Sequence, residues 1–193
     1  MRIARVLFIT ILALSLFSCK KNMTSDLFKP VAENKPGHIV NGQTYYTQFV
    51  IRYEKGAHQT TNYRRGASLP VNTPVKLLDI SGKTIDVEIN DTAQKLEIKN
   101  VKKHTGDDVY QAFDKLFGKT RVDLSKFTSL ERANIDKGEV AKGMSKNAVI
   151  VAIGYPPITE TASLDVDRWV YWSGRFNRFA VHFKNGKVSR VEN

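Results

Sequence analysis

Apolar residues follow several different rhythms along this chain, and each rhythm predicts a different element. Val6 to Phe17 is an apolar run of twelve residues, shorter than the roughly 20 that a membrane-spanning helix needs. Residues 20–40, KKNMTSDLFKPVAENKPGHIV, are polar, carry two prolines and sustain neither a helical nor a strand period, the pattern of a tether. From Tyr45 alternation begins. In YTQFVIRYE, Phe49, Ile51 and Tyr53 fall on one face of a strand. PVKLLDI, TIDVEI and KLEIKNV follow, separated by Ser81-Gly82 and Asn90-Asp91. Ile85, Val87 and Ile89 alternate cleanly, as do Leu96 and Ile98. Short β-branched segments between polar turns predict a small antiparallel meander or barrel over 41–104. Pro70 and Pro74 stand where strands are entered or where an edge is unpaired.

The period then changes. Thr105 is read as opening a helix, with Asp107 and Asp108 in its first turn where carboxylates favour the positive end of the dipole. Val109, Phe113, Leu116 and Phe117 form its apolar stripe, and Gly118 is its expected stop. A second helix is expected over roughly Ser129 to Lys137, before Gly138. In GMSKNAVIVAIGYPP, Ser145 caps a short helix with Val149, Ile150 and Ile153 on its apolar side, and Gly154 with Pro156 and Pro157 ends it. DRWVYW and NRFAVHFKNGKVSRV then read as strands, with Asn185-Gly186 a type I′ hairpin turn. The expected fold class is α+β: a small antiparallel β-module, then a helical connection and an ααβββ domain over 105–193.

Composition sharpens this. A hydrophobic fraction of 41% suits a chain that buries a core. Cys19 is the only cysteine, so no disulfide framework exists and packing must supply stability. The net charge is +11, and +9 without Arg2 and Arg5. Those two arginines precede the apolar run, as in the charged region of a secretory leader. Export removes nucleic acid as a partner. Anionic lipid, cell-wall carboxylates or an acidic protein face remain, beside a merely solvated basic surface.

The run ends in Leu16-Phe17-Ser18-Cys19, which resembles the bacterial lipobox. The resemblance implies a signal peptide over 1–18, lipid attachment at Cys19 and a lipidated tether over 19–40. An ordinary leader with an incidental cysteine and a buried N-terminal helix are the alternatives. Several acyl chains would make a stable anchor, since each buried methylene contributes about 0.8 kcal/mol. Lys20 stands where an aspartate marks inner-membrane retention in enterobacteria, which points to the outer membrane. NYRRGASLPVNTPVKLLDI resembles bacterial SH3-like modules, which bind peptidoglycan or peptides; Tyr45, Tyr46, Tyr53 and Tyr63 would supply an aromatic groove or half-buried sheet positions. Gly143-Met144-Ser145-Lys146 with Val149, Gly154, Pro156, Trp169, Tyr171 and Phe183-Lys184-Asn185-Gly186-Lys187-Val188 resembles the BamE (SmpA/OmlA) family over 124–193. That likeness implies an outer-membrane lipoprotein with an ααβββ fold and a setting in β-barrel protein assembly. Ala148 departs from the Gln or Glu often found there, so the reciprocal half of a capping box is missing.

No catalytic constellation is visible. His38, His58, His104 and His182 are dispersed without ligand spacing, and Asp165 and Asp167 have no indicated partners for a metal. Neither a nucleophile motif nor a phosphate loop occurs. The expectation is a non-catalytic binding or scaffold lipoprotein without cofactor, metal or nucleic acid, with peptidoglycan binding by the β-module as the alternative. Arg168, Trp169, Tyr171, Arg175 and Arg178 are the candidate binding surface, because arginine pairs with phosphate or carboxylate and aromatics beside it add apolar contact. The aromatics on these strands are read either as such a platform or as core.

Overall fold

Strict alternation puts every second side chain of TIDVEI and KLEIK under one face. There Ile85, Val87, Leu96 and Ile98 form the centre of a fully buried core. The structure, a computed structural model, describes residues 35–193. The leader, Cys19 and tether residues 19–34 lie outside the described residues. In chain order the elements are β1 (Thr44–Thr47), β2 (Ile51–Tyr53), β3 (Ala57–Gln59), β4 (Ala67–Leu69), β5 (Pro74–Ser81), β6 (Thr84–Ile89) and β7 (Lys95–Lys99). Then come α1 (Lys102–Thr105), α2 (Val109–Leu116), β8 (Phe117–Gly118), a 3-10 turn at Leu124–Lys126, α3 (Ser129–Lys137) and α4 (Lys146–Ile153). The chain closes with β9 (Arg168–Trp172), β10 (Arg178–Lys184) and β11 (Lys187–Glu192).

Six strands form one sheet in the order β3-β7-β6-β5-β1-β8, β9 to β11 form a three-stranded antiparallel meander, and β2 pairs with β4. The expected α+β fold class, an SH3-like module followed by an ααβββ domain, is corrected by this arrangement. Among the described residues eleven strands stand against four short α-helices, so the fold is β-rich. Two physical causes defeat the expected class. The stripe Val109, Phe113 and Leu116 of α2 is buried in the same core as β1 and β5 to β7, so it completes the sheet layer. Phe117, read as helical, turns extended (φ −134°, ψ 134°), and β8 pairs with β1 through Thr47 and Phe117. A parallel β3–β7 pairing, Ala57 opposite Glu97, is a further feature no simple meander has.

Local capping explains where the helices begin. Thr105 ends the single turn α1 instead of opening a long helix; Gly106 follows in the left-handed region at φ 76°. Asp108 is the N-cap of α2, accepting from the Tyr110 and Gln111 amides, while Gln111 returns a bond to the Asp108 amide. Asn185 and Gly186 both have positive φ, as the β10–β11 hairpin requires.

A second core lies between α3, α4 and β9 to β11, around Ile135, Met144, Val149, Trp169, Tyr171 and Val181. Val50 belongs to it while Phe49 and Ile51 belong to the first, so the segment entering β2 divides the two cores. The Val50 amide donates to Val151 O of α4 at 3.0 Å. Arg64 donates to Gly138 O at 3.0 Å and Ile153 O at 3.3 Å, a cation at the negative ends of α3 and α4. Burial, with Arg52 nearby, lowers its pKa to about 10, which leaves it protonated at neutral pH. Phe183 is buried against Trp169, with ring centroids 4.7 Å apart. Phe183→Ala is expected to cost about 3–5 kcal/mol, read as a lower urea midpoint; an unchanged midpoint would remove Phe183 from the core.

One carboxylate organises the helix pair. Glu131, 3% exposed, closes a capping box with Thr128 at the start of α3. Its other oxygen accepts from the Ser145 amide at 2.7 Å, at the start of α4. Ala148 cannot supply that bond, so the reciprocal half of the α4 cap comes from a different helix. Lys187 Nζ lies 3.3 Å from the same oxygen.

Candidate functional site

A cleft of about 190 Å³ opens where the β3–β4 connection, α1, α2 and the stretch after α4 meet. Its walls are apolar: Phe49, Ala112, Leu116, Tyr155, Pro156 and Ile158. Gly154 allows this closeness. It holds φ +77° and ψ −170°, a conformation that excludes side chains, and a Cβ there would sit 2.7 Å from the Phe49 ring and 2.8 Å from Asn62 Nδ2. Two exposed apolar side chains stand at the mouth, Ile158 at 46% and Leu164 at 38% exposed. Lys146 holds the Leu164 side of the mouth, donating to the carbonyls of Leu164, Asp165 and Val166 at 2.9–3.0 Å.

Polar groups enter the cleft from three segments. His58 and Asn62 are buried in its wall. His58 Nδ1 is 2.7 Å from Arg52 O; a carbonyl only accepts, so Nδ1 carries the hydrogen and Nε2 the lone pair. Burial pushes the imidazole pKa down to about 4, outweighing the Arg52 hydrogen bond, and the nearby Arg64 charge acts in the same direction as burial. Asn62, in the left-handed region at φ 62°, donates Nδ2 to Ile153 O at 2.6 Å and Tyr155 O at 3.1 Å. Its Oδ1 is buried without a donor.

The rim is fixed by a second network. Asn100 Oδ1 accepts from Thr60 and Thr105 hydroxyls, and its amide donates to Asp107 O. Lys115 Nζ spans both Asp107 oxygens at 2.7 and 2.9 Å and lies 5.3 Å from the Tyr155 ring centroid. His104 Nδ1 is 3.0 Å from Thr159 Oγ1. Among the described residues no group of three His, Cys, Asp or Glu converges as it would around a metal ion. The arrangement is suited to holding an apolar group.

The expected binding surface is split by the fold. Trp169 and Tyr171 are wholly buried in the second core and present nothing to a partner, because β9 turns those side chains inward. Arg168 and Arg178 line a shared shallow groove of about 330 Å³ with Glu160 and Glu192. Arg178 pairs with Glu160 at 3.3 Å and stacks 4.4 Å from the Trp172 ring centroid, so the groove answers its own charge. Arg175 lies apart, on the β9–β10 connection, 5.3 Å from the centroid of Phe176, which is 85% exposed. Cys19 is outside the described residues. Of the four tyrosines, Tyr45 is buried and Tyr46 lies beside Arg121, while Tyr53 and Tyr63 flank a small groove next to His58.

The residues that the sequence did not single out are Asn62, Tyr155 and Ile158, and His104 stands out there only as one of four scattered histidines. No spacing rule joins them, since Asn62 and Tyr155 are separated by 93 positions. The one local signal was the dense NYRRG turn chemistry around Asn62. No protein-family model, curated protein or solved structure matches the chain, and its functional reading therefore rests on its own residues.

Proposed function

We propose that the chain is a lipid-anchored protein of the outer membrane that acts as a non-catalytic binding module, engaging its partner at the cleft. The observation that carries this reading is the cleft's construction. It is a half-buried apolar recess whose polar rim is held by Asn100, Asp107 and Lys115, with exposed Ile158 and Leu164 at its mouth. The LFSC context at Cys19 supports the anchor. The resemblance of residues 124–193 to the BamE family, carried by the sequence motif alone, is what favours β-barrel assembly as the setting.

Anchoring and binding are tested separately. Cys19→Ala is expected to move the protein from the membrane to the soluble envelope fraction or leave its leader uncleaved. A variant processed and detergent-extracted like the parent would refute the anchor. For binding, a photo-cross-linking residue at Ile158 should capture a discrete envelope partner in living cells, and one at equally exposed Leu130 on α3 should not. Equal capture at both positions would remove the cleft as the binding site.

A further inference from the structure

We propose that the β9–β10 connection is a second contact point, separate from the cleft, which sets the Phe176 ring into the interface of an anionic lipid bilayer. It rests on the lipid anchor of the reading above and not on the cleft. Trp172 of β9 and Arg178 of β10 stand opposite one another at the root of the connection. Residues 173–177 then close a short projecting loop, with the Ser173 and Gly174 amides donating to Asn177 O at 3.0 and 3.4 Å. Phe176 on this loop is 85% exposed, whereas no other large apolar side chain among the described residues exceeds 47%. A protein interface centres on a contiguous patch from which water is excluded. A single ring between Ser173, Gly174, Arg175 and Asn177 offers no such patch. A fluid bilayer interface needs none, because lipid closes around whatever is inserted.

The surroundings of the loop have the composition of a membrane–water boundary. Three arginines lie over aromatic rings at this end of the meander: Arg175 over Phe176 at 5.3 Å, Arg178 over Trp172 at 4.4 Å and Arg65 over Tyr63 at 5.7 Å, measured to the ring centroids. The Tyr63 and Trp172 rings are themselves 6.3 Å apart, so the second and third pairs are neighbours. Tryptophan and tyrosine gather at the headgroup level of membranes, where one part of the ring is wet and the other is not. An arginine beside such a ring keeps its charge among phosphates while its stem lies along apolar surface.

Charge decides the kind of bilayer. Arg65 and Arg178 already face Glu54 and Glu160 at 2.7 and 3.3 Å. Arg175 faces no carboxylate among the described residues, and neither do Lys102 and Lys103 of α1, the turn whose His104 ring lies 6.2 Å from that of Trp172. These cations are left for lipid phosphate. Each one near an anionic surface contributes a factor of about five, the equivalent of about 1 kcal/mol. The anchor keeps the loop at a high effective concentration beside the membrane, so one ring and a few cations suffice.

The test uses the full-length lipidated protein in vesicles of acyl-brominated phosphatidylcholine, with or without a third of the lipid as cardiolipin. Bromine quenches an indole that enters the bilayer. Phe176→Trp places an indole on the loop, and the parent, with Trp169 and Trp172, supplies the background. The added emission should be quenched in the cardiolipin vesicles and much less in the neutral ones. Leu130→Trp, on α3, should stay unquenched in both. Arg175→Gln should lower the ratio of inserted to free loop about fivefold. Raising salt from about 0.1 M to about 1 M shortens the Debye length from about 10 Å to about 3 Å and should remove the preference for cardiolipin. With Phe176 kept, a photo-cross-linking residue at Asn177 should give lipid adducts, and Phe176→Ser should reduce them. Quenching no greater at Phe176→Trp than at Leu130→Trp, equal quenching in the two vesicles, indifference to Arg175→Gln, or a discrete protein captured from Asn177 in living cells each overturns the inference. Flotation of the parent reports the anchor separately. Protein that floats without loop quenching loses the loop contact alone. Protein that does not float with neutral vesicles refutes the anchor, and the loop contact then stands only if the protein still floats with cardiolipin vesicles and Phe176→Ser abolishes that.

Discussion

Glu131→Ala is expected to destabilise the protein by about 3–5 kcal/mol, the range for leaving a buried polar network without its central partner. The carboxylate accepts from the Thr128 amide at 2.9 Å, the Thr128 hydroxyl at 3.0 Å, and the Ser145 amide at 2.7 Å, and it faces Lys187. Truncation strands both amides at helix N-termini, where no carbonyl within the helix can reach them. It also removes the only acceptor found for the Lys187 ammonium among the described residues. Ser145→Ala, which removes a cap at α4 alone, should cost nearer 1 kcal/mol. Urea titrations of both variants check the ratio. Comparable small losses would mean that water replaces the carboxylate, and that Glu131 does not tie the helices together.

Acidification should lower the protein's stability in two stages, because two buried groups are tuned in the direction that acid opposes. His58 has a folded pKa of about 4 against 6.5 when exposed, so the unfolded chain binds the proton first. Its neutral form contributes about 3 kcal/mol at neutral pH, and this is lost as pH falls from about 6.5 through 4. Burial pushes the Glu131 carboxyl up, but the bonds from Thr128 and Ser145 outweigh it and bring its pKa to about 2, against 4.5 when exposed. Its contribution, again about 3 kcal/mol, is present above pH 4.5 and is lost from there through pH 2. Together about 6 kcal/mol disappears, a large part of the 5–15 kcal/mol of an ordinary domain. Asp86 works the other way: burial and the neighbouring Glu97 and Asp79 raise its pKa, so acid relieves it. His58→Asn, which can still donate to Arg52 O, should flatten the stability profile between pH 6.5 and 4.5 while leaving the lower limb. A profile identical to the parent's would show that His58 is protonated without cost.

The two stages separate what was readable from what was not. His58 was visible only as one of four scattered histidines. Its burial follows from the β3–β7 pairing, which sets His58 opposite Ile98, forty positions away. Thr105 and Asp108, three residues apart, are both competent caps for α2; only Asp108 has a glutamine three residues on to return the bond. Phe117 had the right spacing for the α2 stripe, but its backbone was taken by β1, and a cross-strand bond outweighs one more residue of helix. Arg168 and Arg178 read as part of a binding surface because Glu160 and Glu192 are remote in sequence from at least one of them, and the meander brings all four to one groove.

Period, cap and turn signals act over about four residues. At that range the chain alone determined the alternating faces of β6 and β7, the cap at Ser145, the stop after α4 at Gly154 and the hairpin at Asn185-Gly186. Fold class lay beyond that range. Whether α2 opens a new domain or closes the six-stranded sheet depends on which apolar surface it covers, and that surface is made by strands up to 70 positions earlier. The inward turn of Trp169 and Tyr171, the use of Glu131 by two helices, and the meeting of Asn62, His58 and Tyr155 in one cleft are long-range facts of the same kind. They are decided by which buried polar groups find partners and which apolar faces cover one another, and those conditions exist only once the chain has closed on itself.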